Sequence, residues 1–425
     1  MTDAEAEYLD VEDLSIGHFV FIDLGWMKHP FPFNNFRIQS GGEIDTIRKL
    51  GLKRIRYSSQ RSVFDSDAGE SETCVTATLP DSGALTADQA AANRRRELLA
   101  RQRAQLLVCE RQFGTAANTY RQIAKGVYAD PVAAREAAET LADGLVSQVL
   151  GEGDANIQLL SENVGERPSL HSVNVTIISL LLGKACGVDE GAMRDIGVGA
   201  LLHDIGKMDL PDRLRFQEPQ SQAELRLYRE HVSMGIAMAR RMEVATGALL
   251  VIGQHHEHVD GTGYPMRVHS ERLPAPSRIV SLVNAYDNLC NPGNPSVALT
   301  PHEALAQIFA QQRSRYDAQV LNAFVRMMGV YPPGSTVQLT DDRYAIVVSV
   351  NSSRPLKPRI VIHDPAVPAD EALVVDMETQ PELGIRRSLK PLYLPKAAMD
   401  YLSPRKRVCY FFERAGSVDE IGECS

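Results

Sequence analysis

The sequence predicts a multidomain, mainly α-helical protein, with a small α+β domain before the helical region and a β-rich module after it. Short runs of alternating apolar residues near the N-terminus predict strands. Ala, Leu, Glu and Arg dominate the middle of the chain, and β-branched runs separated by turn residues follow it. The 425 residues suffice for several domains of about 150 residues each. We place the domains at 1–65, 66–129, 130–330 and 331–425.

The N-terminal domain is predicted to combine strands with one short helix. The segment VEDLSIGHFVFIDL places apolar side chains in strand alternation at Ile16, Phe19 and Phe21. An aromatic stretch with the only tryptophan, Trp26, comes next. The segment IDTIRKLGLKRIRY then predicts a helix, a glycine stop at Gly51 and a further strand.

Residues 66–129 are predicted to form a linker and a connecting helix. Ser, Asp, Thr and Gly are abundant from 62 to 85, which is typical of a flexible linker. Helix-forming residues follow from about 86 to 122, with leucine pairs at 98–99 and 106–107. Such a helix either packs on a neighbouring domain or pairs two chains into a homodimer. A coiled coil is predicted when apolar residues repeat over roughly three or four heptads, and two leucine pairs span fewer heptads than that.

The composition argues against two classes of partner. With 45 Lys and Arg against 54 Asp and Glu, the net charge is −9, which disfavours binding to bulk nucleic acid but permits a local basic pocket for one phosphorylated ligand. The most apolar run, Val175–Leu182, is far shorter than the roughly 20 residues of a membrane span. The acidic N-terminus lacks a secretory signal, and the six cysteines are scattered. We therefore expect a cytoplasmic protein with reduced thiols and no membrane insertion.

The helical region carries most of the chain's 11 histidines on separate segments. His203 and Asp204 end an apolar stretch, His255 and His256 precede a glycine-rich turn, and two further apolar helices each carry one histidine, His171 and His231. A single buried histidine is usually a hydrogen-bonded core residue, because an unpaired buried imidazole is costly. Several on separate segments of one domain favour a metal site, since imidazole and carboxylate bind iron, manganese and zinc.

Two segments carry a resemblance to a known family. HDIGK (203–207) and HHEHVDGTGYP (255–265) resemble the motifs of the HD-GYP family, the subgroup of HD phosphohydrolases that hydrolyses cyclic di-GMP. LHSVNV, REHVSMG and RIVSL extend the resemblance over roughly residues 150–330. The stretch LSIGHFVFIDLGWMKHPFPFNNFRI resembles a domain of unknown function that often precedes HD-GYP domains.

The resemblance implies an HD-type helical bundle that holds two or three metal ions, commonly iron or manganese. It implies one ion bound by His171, His203 and Asp204 and another bound by His231, His255 and His256, with Asp204 bridging both ions. Lys207 lies four residues after His203, so it is a candidate contact to the phosphate in the transition state. The turn formed by Gly261, Gly263, Tyr264 and Pro265 is implied to be a substrate lip or a surface for partner domains of the diguanylate cyclase type.

The sequence departs from the family at three places. Asn284 stands where the family has an aspartate ligand, so this ligand is weak or lost; Asp287, one helical turn further, is the candidate substitute. Gly293 and Ser296 stand where the family has basic residues that bind ligand phosphates. Arg167 replaces the glutamate of three-metal members, so we expect at most two divalent transition-metal ions, iron or manganese.

The function expected from these residues is metal-dependent hydrolysis of cyclic di-GMP to linear pGpG or GMP. One alternative is a degenerate HD-GYP protein that binds a nucleotide or a partner domain without turnover. Another is an HD-type hydrolase acting on a different phosphoester, which the GYP turn disfavours because other HD hydrolases lack it. The sequence assigns no role to the N-terminal domain or to the β-rich module.

Overall fold

The structure is a computed structural model that describes residues 7–22, 35–38, 41–58, 62, 87–151, 155–161, 167–217, 219–351, 354 and 356–414. The chain divides into two compact units, Met1–Thr86 and Ala87–Ser425. The aromatic stretch around Trp26 and almost all of the predicted linker lie outside the described residues.

The first unit has the predicted α+β composition. Its elements are β1 (Glu7–Asp10), β2 (Phe19–Phe21), β3 (Asn35–Arg37), α1 (Gly41–Lys49) and β4 (Arg54–Ser58). The strands form an antiparallel sheet in the order β1-β4-β2-β3. Helix α1 ends before Gly51, whose φ of +73° is a conformation that glycine adopts without strain.

The middle residue of β2 faces the core of this unit. Val20 is fully buried in the core of this unit together with Ile44 and Ile47 of α1, whereas Phe19 and Phe21 are only half-buried. A strand of three residues contains too few alternations to show which face meets the helix, so the pattern finds the strand but not its orientation.

The second unit contains the predicted helical region. Its helices are α2 (Ala87–Gly126), α3 (Pro131–Leu150), α4 (Arg167–Cys186), α5 (Glu190–Leu202), α6 (Asp212–Phe216), α7 (Gln222–Arg229), α8 (His231–Arg241), α9 (Thr246–Gln254), α10 (Ala275–Cys290), α11 (Pro301–Gln311), α12 (Ala318–Met328) and α13 (Lys396–Leu402). Several begin at clear capping residues. Asp130 caps α3 in front of a proline, and Thr300 forms a capping box with Glu303 at α11.

Helix α4 lies at the centre of this bundle. It packs against α5, α10, α2 and α12, and α5 in turn packs against α3 and α9. The segment Ser169–Cys186 is long and apolar enough to resemble a membrane span by composition, but 78% of it is buried inside the protein. This burial on all sides is what a central core helix requires.

Helix α2 has 40 residues and is therefore about 60 Å long. Its C-terminal half buries Cys109, Phe113, Tyr120 and Ile123, which recur at the spacing of one helical face. Helix α2 packs against α3 and α4 of its own unit. A connecting role between domains remains a prediction. A homodimer through the helix remains a prediction.

The sheet of this unit contains β5 (Ala155–Leu159), β6 (Thr336–Leu339), β7 (Tyr344–Asn351), β8 (Arg359–Ile362), β9 (Val374–Asp376), β10 (Ile385–Leu389) and β11 (Tyr410–Arg414). Its strand order is β10-β6-β7-β5-β11, with β8 and β9 added beside β7, and all pairs are antiparallel.

The β-rich module is therefore not built from residues 331–425 alone. Strand β5, from the start of the helical region, lies between β7 and β11, where Ile157 pairs with Val350 and Phe412 and is buried. The buried residues of β5 and β11 belong to the same hydrophobic cluster as the helices. The domain boundary drawn at 330 remains a prediction, and the packing of helices and sheet crosses it.

Candidate metal centre

The helix ends bring the predicted ligand residues together. His171 lies on α4, His203 ends α5, and Asp204 follows it directly. His231 is the first residue of α8, and His255 and His256 follow α9. Among the described residues they form two groups whose nitrogen and oxygen atoms lie within 4.8 Å of one another: His171, His203 and Asp204, and Asp204, His231, His255 and His256. Asp204 belongs to both groups, which is the arrangement a bridging ligand requires.

Hydrogen bonds on the far side of each ring assign the tautomers of the histidines. The Nδ1 atom of His203 lies 2.7 Å from the carbonyl oxygen of Ala200. His231 Nδ1 lies 2.6 Å from the carbonyl oxygen of Tyr228, and His255 Nδ1 lies 2.7 Å from that of Ile252. Because a carbonyl only accepts, each Nδ1 must donate, and each Nε2 of a neutral ring carries a lone pair.

These lone pairs point at one another. His171 Nε2 lies 3.1 Å from His203 Nε2, and His231 Nε2 lies 3.3 Å from His255 Nε2. Two acceptor nitrogens at this distance repel each other unless a cation or a proton lies between them. Metal-binding histidines typically hold the opposite ring nitrogen to a carbonyl or carboxylate in this way.

Burial keeps the rings neutral. It lowers the pKa of His203 and of His231 to about 4 and moves the pKa of His255 and His256 well below the usual range. Burial on its own would raise the pKa of Asp204. Lys207 and the surrounding imidazoles outweigh that effect and hold the pKa of Asp204 well below its ordinary value. At neutral pH the cluster therefore offers neutral imidazoles around one carboxylate.

Two buried atoms of the cluster have no hydrogen-bond partner within the protein. They are Asp204 Oδ1 and His256 Nε2. A buried acceptor without a hydrogen bond lowers the stability of the fold. Bound metal would satisfy both atoms as well as the facing lone pairs of the imidazoles. The donor set of nitrogen and carboxylate oxygen therefore fits divalent transition metals.

Lys207 lies beside the shared carboxylate. Its Nζ lies 2.5 Å from Asp204 Oδ2 and over the ring of Tyr228, at 5.2 Å from the ring centre. Burial opposes the charge of Lys207, but Asp204 and Tyr228 raise its pKa above the ordinary value, so the ammonium persists. Arg215 donates to the carbonyl oxygens of Lys207 and Met208, which fixes the turn that carries the ammonium.

Asp287 lies behind His171 and contacts the ring nitrogen that faces away from the cluster. Its Oδ2 lies 2.5 Å from His171 Nδ1, and its Oδ1 accepts hydrogen bonds from Asn174 and Asn291. This geometry favours an orienting role rather than the ligand role for which the sequence makes Asp287 a candidate. Asn284 is buried and accepts a hydrogen bond from Asn288 Nδ2 at 2.8 Å.

The GYP turn packs against the second group. The ring of Tyr264 stacks on His256 with 4.5 Å between ring centres. The guanidinium of Arg229 lies 4.8 Å from the centre of the Tyr264 ring. A Cβ atom on Gly263 would lie 2.5 Å from backbone atoms of residues 256–258, so only glycine permits this approach. Pro265 is exposed, and Gly261 has a φ of +75°. A surface for partner domains at this turn remains a prediction.

The sequence analysis missed three residues that support the site. Glu257 is buried, and its carboxylate accepts hydrogen bonds from the backbone nitrogens of Met266, Arg267 and Val268, which brace the GYP turn. Gly206 and Gly235 allow the turn after Asp204 to touch the start of α8, since a Cβ on Gly206 would lie 2.0 Å from the carbonyl oxygen of His231. The sequence signals that could have identified Glu257 and Gly206 were an acidic residue inside HHEH and a glycine inside HDIGK.

A cavity of about 400 Å³ adjoins the first metal group. His171, Asp204 and Lys207 line it on one side, and α2 and the residues before β11 line it on others. Its volume lies within the roughly 300–1,000 Å³ of ordinary ligand pockets. His171, Asp204 and Lys207 are therefore accessible to a small molecule in this cavity.

Comparisons with known proteins agree with these observations. The family model of the HD domain matches residues 155–320. The family model of DUF3391, a domain of unknown function, matches residues 8–138. The chain is 26% identical over 359 residues to the cyclic di-GMP phosphodiesterase PA4108 of Pseudomonas aeruginosa, covering 83% of this chain and 84% of that protein.

Two further relatives match shorter stretches. Identity to the cyclic di-GMP phosphodiesterase PdeB of Borreliella burgdorferi is 24%, over 45% of this chain and 51% of that protein. Identity to the 3'3'-cGAMP-specific phosphodiesterase 3 of Vibrio cholerae is 23%, over 38% of this chain and 35% of that protein. Residues 155–320 therefore match an HD domain and residues 8–138 match DUF3391, in the order that the resemblance of the motifs to the HD-GYP family predicts.

Proposed function

We propose that this protein is a metal-dependent phosphodiesterase that hydrolyses cyclic di-GMP to linear pGpG or GMP. The observation that carries the proposal is the convergence of unprotonated imidazole nitrogens on Asp204 beside a ligand-sized cavity. The relatives named as phosphodiesterases of cyclic dinucleotides support the reaction class, and the match to PA4108 over most of both chains supports the substrate.

The described residues support two metal sites that share Asp204. We propose that His171, His203 and Asp204 hold one ion and that Asp204, His231, His255 and His256 hold the other, both iron or manganese. Two divalent cations supply Lewis-acid polarisation of a phosphodiester and acidify a bound water. The chain's own part is to keep the imidazoles of His203, His231, His255 and His256 neutral and to orient the first three through Nδ1 hydrogen bonds.

Lys207 is proposed to stabilise charge on the phosphate. Its ammonium lines the cavity and is held next to Asp204 by the turn that Arg215 secures. A cation already oriented in a partly buried site stabilises developing negative charge with little rearrangement. Lys207 therefore contributes to the rate without serving as a metal ligand.

The second candidate is a degenerate protein that binds the nucleotide without turnover. It is favoured by Asn284 in place of a carboxylate, since a neutral amide is a weaker ligand for a hard cation. The loss of basic residues at Gly293 and Ser296 favours it as well. Both observations concern the periphery of the site, whereas the six central side chains retain ligand chemistry, so we give hydrolysis precedence.

The test combines metal content with turnover. The protein is purified without oxygen or chelator, with iron or manganese supplied, and is assayed on cyclic di-GMP with separation of pGpG and GMP. We expect up to two ions per chain and hydrolysis that stops when a chelator removes them. Asp204→Asn should lose most of the metal and the activity. Well under one ion per chain would refute the metal sites. A fully loaded protein that does not turn over cyclic di-GMP would refute the proposed hydrolysis, leaving the degenerate protein and a hydrolase of another phosphoester as the alternatives.

A further inference from the structure

We propose that Arg121 and Lys125 of α2, together with Arg407 before β11, bind the second phosphate of a cyclic dinucleotide, the phosphate that is not being cleaved. This inference rests on the proposed function. We call these three residues the cationic rim. They line the same cavity as His171, Asp204 and Lys207, so a ligand with one phosphate at the metal centre meets the rim without leaving the cavity.

The positions of the three cations follow from the packing of their segments. Arg121 and Lys125 are four residues apart, so they lie on one face of α2. The neighbouring Tyr120 and Ile123 are buried, which fixes the rotation of the helix about its axis. On the other side, Val408 exchanges two backbone hydrogen bonds with the side chain of Asn291, at 2.8 and 2.9 Å, and thereby anchors Arg407.

The charge of the cavity calls for an anionic ligand. The only carboxylates among the described residues that line it are Asp204 and Asp287. Asp204 is paired with Lys207, and Asp287 with His171. Arg215 also lines the cavity, but its guanidinium donates to backbone carbonyls of the Lys207 turn. Arg121 also donates to the amide oxygen of Asn118. The lining of the cavity thus holds the three cations of the rim besides Lys207 and Arg215, against two carboxylates.

The rim also accounts for a departure in the sequence. Gly293 and Ser296 stand where the family has basic residues, and neither lines the cavity. A cyclic dinucleotide carries two phosphodiester charges, and the metal centre with Lys207 accounts for one of them. Arg121, Lys125 and Arg407 come from different parts of the chain and can compensate the other charge.

Two of the three cations belong to the DUF3391 match, which extends to residue 138 and so includes the C-terminal half of α2. The inference thus gives this part of a domain of unknown function a role: it completes the binding site for the substrate of the HD domain. Through Arg407, the residues that follow the HD domain also contribute to this binding site.

The experiment compares a substrate with two phosphates to a substrate with one. Arg121→Gln, Lys125→Gln and Arg407→Gln, and the double variant of both arginines, are assayed on cyclic di-GMP and on bis(p-nitrophenyl) phosphate. Arg101→Gln serves as the matched control, because Arg101 is an exposed residue of the same helix and does not line the cavity. Metal content and unfolding temperature are measured for every variant, and Arg407→Met, which also removes the charge but keeps an unbranched side chain, replaces Arg407→Gln if the latter fails to fold.

We expect KM for cyclic di-GMP to rise about tenfold in each arginine variant and about threefold for the exposed Lys125, in line with single charge-assisted contacts. We expect kcat to stay within about twofold, since the contact is equal in ground and transition states. Both constants for bis(p-nitrophenyl) phosphate should be unchanged, as should all constants of Arg101→Gln. In the wild type, KM for cyclic di-GMP should rise with ionic strength, and this rise should weaken in the double variant.

An unchanged KM for cyclic di-GMP in the double variant would overturn the rim while leaving the phosphodiesterase intact. An equal loss on both substrates would also overturn it, because it would indicate a disturbed metal centre rather than a lost phosphate contact. A wild type that hydrolyses bis(p-nitrophenyl) phosphate but no cyclic dinucleotide would instead overturn the proposed function, and the inference with it.

Discussion

Replacing Asp287 by asparagine tests whether this buried carboxylate acts through His171. Both of its oxygens accept hydrogen bonds, Oδ2 from His171 Nδ1 at 2.5 Å and Oδ1 from the amides of Asn174 and Asn291. An asparagine of the same shape offers one acceptor and one donor, so at least one of these donors loses its acceptor. Because the loss of an orienting partner of a metal-binding histidine lowers affinity about 10- to 100-fold, we expect a loss of about 1.4–2.7 kcal/mol at the first group and little change at the second.

The measurement is a competition titration of manganese against a calibrated chelator. Asp317→Asn is the control, because Asp317 is a partly buried carboxylate that is paired with Arg278 at 2.8 Å and belongs to neither metal group. A double-mutant cycle with His171→Ala then separates the two roles. If Asp287 only orients His171, Asp287→Asn has no further effect once His171 is gone. A full additional loss in that background would make Asp287 a ligand in its own right and refute the orienting role.

Three further predictions concern Lys207, Gly263 and Asn284. Lys207→Ala should lower turnover of cyclic di-GMP at least about tenfold, or 1.4 kcal/mol of transition-state stabilisation, with metal content retained; unchanged turnover would remove Lys207 from the reaction. Gly263→Ala should weaken metal binding at the second group and destabilise the fold by about 1–3 kcal/mol through backbone overlap, whereas Gly114→Ala, with no atom within 4 Å of the added methyl, should not; equal unfolding temperatures and metal affinities would contradict this. Asn284→Asp should tighten metal binding at the first group and preserve hydrolysis, and unchanged metal affinity in a less stable variant would place residue 284 out of reach of the ion.

The helical fold could be predicted because it depends on local patterns. The grouping of His171 with His203 and Asp204 was expected only through the resemblance of the motifs to the HD-GYP family, because local residue spacing does not show which helices meet. The insertion of β5 between β7 and β11 could not be predicted in this way. Its five residues are too short for a distinctive pattern, and their pairing partners lie about two hundred residues away in a strand order that no local rule specifies.

The sequence also does not predict which cations line the cavity. The apolar stripe of α2 at Cys109, Phe113 and Tyr120 shows which face of the helix is buried, but it does not show what lies against that face. Arg121 and Lys125 are therefore indistinguishable from ordinary surface cations until α2 is placed beside the metal centre. The same holds for Arg407, whose position depends on the sheet.

The β-rich module, to which the sequence assigns no role, is connected to the first metal group by a continuous path of hydrogen bonds. The backbone of Tyr410 donates to Asn174 Oδ1 at 2.8 Å, and Val408 exchanges hydrogen bonds with Asn291. Both asparagines donate to Asp287, and Asp287 holds the Nδ1 of His171. Each buried donor along this path depends on the next acceptor for its satisfaction, so a shift of β11 would be transmitted to the orientation of the imidazole. The strand that follows Arg407 is thus linked through Asn174 and Asp287 to His171 of the candidate metal centre.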